Sequence, residues 1–116
     1  MLKRLFLLTV LSLAPGLAQA DDAKTCDTWS DVLADNKDYN PSYVKLTDDQ
    51  IPLIAKAYTD RGTKWPDNIV TIWIGRTPMI NDTAFIYAID SEGCLALGGH
   101  VSVVGLAAVL AGSGGI

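Results

Sequence analysis

Cys26 and Cys94 are the only cysteines in this 116-residue chain, and they stand near opposite ends of everything that follows its first apolar segment. A bond between them would close a loop of about 69 residues and tie whatever forms around the first cysteine to whatever forms around the second. In the chain-entropy description such a loop removes on the order of 4 kcal/mol of unfolded-state freedom. For a domain this small that is a large share of net stability. Pairing requires an oxidising compartment, so the first question is where the chain works.

Met1-Leu2-Lys3-Arg4 supplies a positive start, Leu5 to Leu13 runs without charge, and Pro15-Gly16 breaks any helix ahead of Leu17-Ala18-Gln19-Ala20. That order is a secretory signal closing on an A-x-A cleavage site. A nine-residue apolar helix would reach only about 14 Å, half of the ~30 Å hydrocarbon core, so a permanent anchor is not expected. Nor is lipidation, because Cys26 is separated from the apolar run by Ala23-Lys24-Thr25. The expectation is a periplasmic or secreted protein. Residues 1–20 are removed, 21–116 form one small domain, and Cys26 pairs with Cys94. Two free thiols, one of them reactive, are the alternative.

Loss of Lys3 and Arg4 with the signal changes the formal charge from −4 to −6. The remaining basic residues are scattered from Lys24 to Arg76, whereas nucleic acid needs them clustered to displace phosphate counterions. No nucleic-acid partner is expected. The acidity points to a neutral or basic protein partner.

The spacing predicts a first helix over Thr25 to Asn36, with Trp29, Val32, Leu33 and Asn36 on one face and Asp27, Asp31 and Asp35 forming an acidic stripe on another. Asn40-Pro41 marks a break. Thr47 with Gln50 has the capping-box pattern and Leu46 with Ile51 the staple, opening a second helix that alternatively starts at Pro52 and stops at Gly62. Ile69 to Gly75 is rich in β-branched and aromatic residues on both faces, as in a central strand. Ala84 to Ile89 gives a second strand, and Asp90-Ser91-Glu92-Gly93 turns into a third over Cys94 to Leu97. No formal charge follows Glu92. The apolar run over 95–111 is expected to be buried strand and short helix, with membrane attachment as the alternative, and 112–116 to be a flexible glycine-rich tail.

Catalytic sets are sparse. His100 is the only histidine, too few for a zinc site when the cysteines pair with each other, and the Asp residues lack the loop pattern that gathers calcium oxygens. No metal and no cofactor is expected. A small envelope enzyme would have to use a free cysteine or His100, whose partner could be Cys94 or, two residues along a strand, Ser102. Glu92 in a turn lacks a second acid across a cleft. The segment around Arg76, Pro78, Met79 and Ile80 has a different character. It sets an apolar pair behind a rigid proline between polar flanks, as a presented binding loop would. The competing structural reading folds Met79 and Ile80 back over the core.

Thr25-Cys26-Asp27 and the amphipathic helix after it resemble the start of the small two-cysteine periplasmic acid-stress chaperones. That resemblance would imply an all-helical fold, from which the strand-rich segment Ile69 to Leu97 departs. The fold expected is therefore α+β, with two N-terminal helices packed on one face of a three- to four-stranded, mainly antiparallel sheet bearing one disulfide. The function expected is a non-catalytic binding or accessory protein, such as an inhibitor of a basic or neutral envelope protein.

Overall fold

The computed structural model describes residues 26–112; the expected signal, the cleavage site and residues 113–116 lie outside them. The element order is α1 (Trp29–Asn36), β1 (Ser42–Lys45), α2 (Ile51–Asp60), β2 (Ile69–Thr77), β3 (Ile80–Asp90), β4 (Leu95–Ser102) and α3 (Val103–Leu110). The four strands form one sheet in the order β1-β2-β3-β4 with every neighbour antiparallel. Cys26 and Cys94 are joined, so the α+β class and its disulfide hold.

The first helix is shorter than its periodicity suggests because the sheet claims the residues before it. Thr28 bridges to Cys94, and the Leu95 amide donates to the Asp27 carbonyl at 2.8 Å. Helix α1 then starts on a local device, with the Thr28 amide and hydroxyl both donating to the Asp31 carboxylate at 2.7 and 3.0 Å. A 3-10 turn over Lys37–Tyr39 follows, and Asn40 at φ 51° steers the chain into β1.

At α2 the Thr47 amide donates to the Gln50 side chain at 2.9 Å, and regular helix begins at Ile51, one residue before the alternative start at Pro52. Gly62 ends it at φ 88°, a conformation that favours glycine. Strands β2 and β3 share a two-residue turn, Pro78-Met79. Between β3 and β4 the Asp90 side chain accepts the amides of Glu92 and Cys94, and Gly93 takes φ 83°. The pair Gly98-Gly99 does not interrupt β4. Gly99 lies beneath Tyr58, whose hydroxyl would sit 3.2 Å from a Cβ there, so the missing side chain admits the ring.

The two faces of the sheet carry different layers. Ile72 and Ile74 of β2, Ala84, Ile86 and Ala88 of β3 and Val101 of β4 meet Ile54, Ala57 and Tyr58 of α2 and Leu106 and Val109 of α3 in one buried cluster. Trp73, Tyr87 and Tyr43 alternate to the other face, where Trp29 of α1 lies over them. The expected placement of two N-terminal helices together on one face is thus corrected. Helix α2 shares its face with the C-terminal α3, and α1 lies across the sheet from both. The physical reason is its payload. Trp29 stacks parallel on Trp73 at 5.0 Å, and the disulfide holds the start of α1 beside the β3–β4 turn.

Candidate functional site

The aromatic face is only partly covered. Helix α1 lays one large side chain on it: Trp29 packs edge-on to Tyr43 at 4.9 Å and to Tyr87 at 5.5 Å. Beyond Trp29, toward the β2–β3 turn, the sheet has no roof, and a groove of about 320 Å³ opens there. Gly75, Phe85 and Tyr87 form its sheet floor, Asn36, Tyr39 and Pro41 one wall, and Arg76, Thr77, Met79 and Ile80 the other. Gly75 leaves room for the rings on either side of it. A Cβ at that position would stand 3.1 Å from the Tyr43 ring and 3.2 Å from that of Tyr87, so any side chain would displace the rings beside the floor.

A hydrogen bond fastens the walls. The buried Thr77 hydroxyl donates to the Tyr39 carbonyl at 2.6 Å, locking the hairpin tip to the 3-10 turn. The rim remains apolar and open, with Tyr39 53%, Met79 68% and Ile80 42% exposed. On the far side of Arg76 and Thr77 lies a shallower polar shelf of about 470 Å³ lined by Asn40, Ser42, Pro78 and Asn81. Groove and shelf share Arg76 and Thr77, and among the described residues no acidic one lines either.

Two buried side-chain polar atoms lack a hydrogen-bond partner among the described residues, the Tyr43 hydroxyl and Arg76 Nε. Both residues line the groove. Leaving such groups unpaired costs roughly 1–3 kcal/mol each, so they are uncommon away from working sites. Arg76 otherwise donates from Nη2 to the Asn81 carbonyl at 2.9 Å. Burial pushes the Tyr43 phenol above its ordinary value of 10.0, and Tyr87 is raised by burial first and then by Tyr43. Tyr43 therefore keeps its proton at neutral pH and can donate it in a hydrogen bond.

No family model, curated protein or solved structure matches the chain. Arg76, Met79 and Ile80 come together on the groove, and Pro78 borders the shelf. Arg76 lies within β2, which ends at Thr77, Ile80 begins β3, and only Pro78-Met79 turns between them. Met79 and Ile80 do not fold back over the core, because both are exposed.

Of the acidic stripe, Asp31 and Asp35 stand four residues apart on α1, with Asp27 just ahead of it. Asp27 precedes α1 and is exposed, Asp35 is exposed on the helix, and Asp31 is engaged in the cap. Among the described residues no group of His, Cys, Asp and Glu is arranged to hold a metal. Both cysteine sulfurs are consumed by the disulfide, which leaves no thiol for nucleophilic chemistry. His100 is exposed and lies edge-on to Phe85 at 6.4 Å, while the Ser102 hydroxyl accepts the Gly105 amide at 2.9 Å and caps α3. The run over 95–111 divides into β4 and the eight-residue α3, and no described helix is long and apolar enough to cross a membrane.

Sequence reasoning missed Tyr39, Tyr43, Gly75, Phe85 and Tyr87 as a set. They come from four separate segments, and only strand register brings them together: Tyr43 pairs with Gly75 and Gly75 with Phe85. The available signal was a glycine closing an otherwise β-branched strand, which marks close approach of other groups.

Proposed function

We propose that this is an exported, non-catalytic binding protein that engages a partner through the groove between α1 and the β2–β3 hairpin. One observation carries the reading: an apolar groove with an exposed apolar rim is lined by both residues that carry an unpartnered buried side-chain polar atom among the described residues. Pockets of this kind, apolar with a few placed polar groups, are how binding sites combine affinity with orientation. The disulfide and the N-terminal sequence favour a periplasmic or extracellular setting. The acidic surface favours a neutral or basic protein as the partner, and the scattered basic residues disfavour nucleic acid. Nothing in the site calls for a cofactor.

The reading is tested by placing a photoreactive amino acid at Met79 or at Val104, the latter 81% exposed on the other face, and irradiating cells that export the protein. Discrete crosslinked products from position 79 and none from 104 are expected. Equal products from the two positions, or none from 79, would remove the groove as the binding surface.

A further inference from the structure

The groove and the shelf meet at one guanidinium. Among the described residues Arg76 is the only charged one lining either depression, in a chain with 13 acidic against 9 basic residues. Its Nε–H is buried without an acceptor, and Tyr43, which lines the same groove, has its hydroxyl buried without a partner. Both groups can donate, and a guanidinium N–H together with a phenol O–H suits a carboxylate oxygen. The groove lies at the small end of the ~300–1,000 Å³ range of ligand sites, enough for one apolar side chain over Phe85 and Tyr87. The shelf beyond Arg76 is open and polar, with the side chains of Asn40, Ser42 and Asn81 along it. Amide side chains there can donate to and accept from peptide groups.

An apolar slot, a cationic junction with no acidic residue among the described lining and a polar shelf in succession match one ligand chemistry. We propose that the groove captures the carboxyl-terminal end of a partner polypeptide. The apolar side chain of the last residue enters the slot, the terminal carboxylate accepts from Arg76 and Tyr43, and the preceding peptide groups cross the shelf. This inference rests on the groove being the binding surface. Capture of a terminal carboxylate is an established way of giving peptide recognition both direction and position. A free small acid would fill the slot and the junction but leave the shelf idle, and an internal segment of a partner would bring no carboxylate to the junction.

The experiment is a titration of the oxidised, ¹⁵N-labelled protein, followed by amide resonances and by the Arg76 Nε–H resonance. Acetyl-Gly-Ser-Gly-Phe with a free carboxylate is compared with the same peptide as its C-terminal amide and with 3-phenylpropionate. The free-acid peptide is expected to bind saturably, moving Gly75, Phe85 and Arg76 Nε–H. Amidation of the peptide, or Arg76→Gln in the protein, should weaken binding about tenfold or more. Tyr43→Phe should weaken it by about threefold. Lys64→Gln removes the same charge from an exposed position that lines neither depression and should change nothing.

Equal binding of the acid and amide peptides would overturn the carboxylate inference while leaving the groove as a binding surface. Absence of groove shifts with either peptide would overturn both. Binding of 3-phenylpropionate as tight as that of the peptide would assign the site to small acids and overturn the polypeptide source.

Discussion

The two faces of the sheet use the same strands for opposite ends. On one, Ile72, Ile74 and Ile86 interlock with α2 and α3, and three side chains, Ile54, Ile72 and Ile86, are sealed from solvent. On the other, the flat rings of Trp73 and Tyr87 meet a single tryptophan from α1, and the surface beyond it stays open. Aliphatic side chains interdigitate and reward close packing by two helices. Aromatic rings give large contact areas to a single stacked partner and leave space beside it. One face holds the fold together, and the other has room to hold something else.

Substitutions on the two faces should therefore differ in kind. Ile86→Ala should cost about 4 kcal/mol in urea unfolding, the cost of a cavity in a sealed core. A loss below about 1 kcal/mol would mean that the aliphatic face is less tightly packed than described. Replacing both cysteines with serine should cost about 3 kcal/mol and shift the urea midpoint without abolishing the sheet. Loss of strand signal in the far-ultraviolet circular dichroism of that variant would show that the aliphatic face cannot sustain the fold alone.

Trp29→Ala comes next, at about 2 kcal/mol, since the ring is only half-buried and its removal leaves the opposite layer untouched. Its near-ultraviolet dichroism should fall sharply while the far-ultraviolet spectrum stays. An effect as large as that of Ile86→Ala would erase the distinction between the faces.

The smallest effect concerns pH. Tyr43 and Tyr87 on the aromatic face, and Tyr58 in the core, are all raised by burial, the last partly offset by Arg61. Above pH 10 the unfolded chain loses phenolic protons that the folded protein retains, so the unfolded state binds fewer protons and stability declines as pH rises. Below pH 10 these groups leave stability unchanged. Absorbance at the phenolate band should rise at higher pH in the native protein than in urea, and coincident curves would contradict this.

Much of the architecture is legible in the residues, and the exceptions share a cause. Periodicity and turn chemistry place β2, the Asp90–Gly93 turn and the Gly62 stop, because each depends on neighbours in sequence. The side of the sheet taken by each helix is not legible. Ile72 and Trp73 are both apolar, so a period of two separates the faces without saying which helix covers which. Strand β1 and the far half of β4 escape for a related reason. Ser42–Lys45 is short and mostly exposed, and Gly98-Gly99 resembles a break until Tyr58 is placed above it. At the groove the hairpin residues Arg76, Met79 and Ile80 show in the sequence. Their opposite wall and floor do not, since they arrive from elsewhere through strand register.

The disulfide also sets an order of events during synthesis. Cys26 leaves the ribosome 68 residues ahead of Cys94, and the α1 segment that forms one wall of the groove is made before any strand exists for it to rest on. The residues of β2 and β3 are all made before the second sulfur. The earliest part of the folded protein to be synthesised is thus the last to be fastened, and the groove acquires its covalently secured wall only when nearly the whole domain has been made.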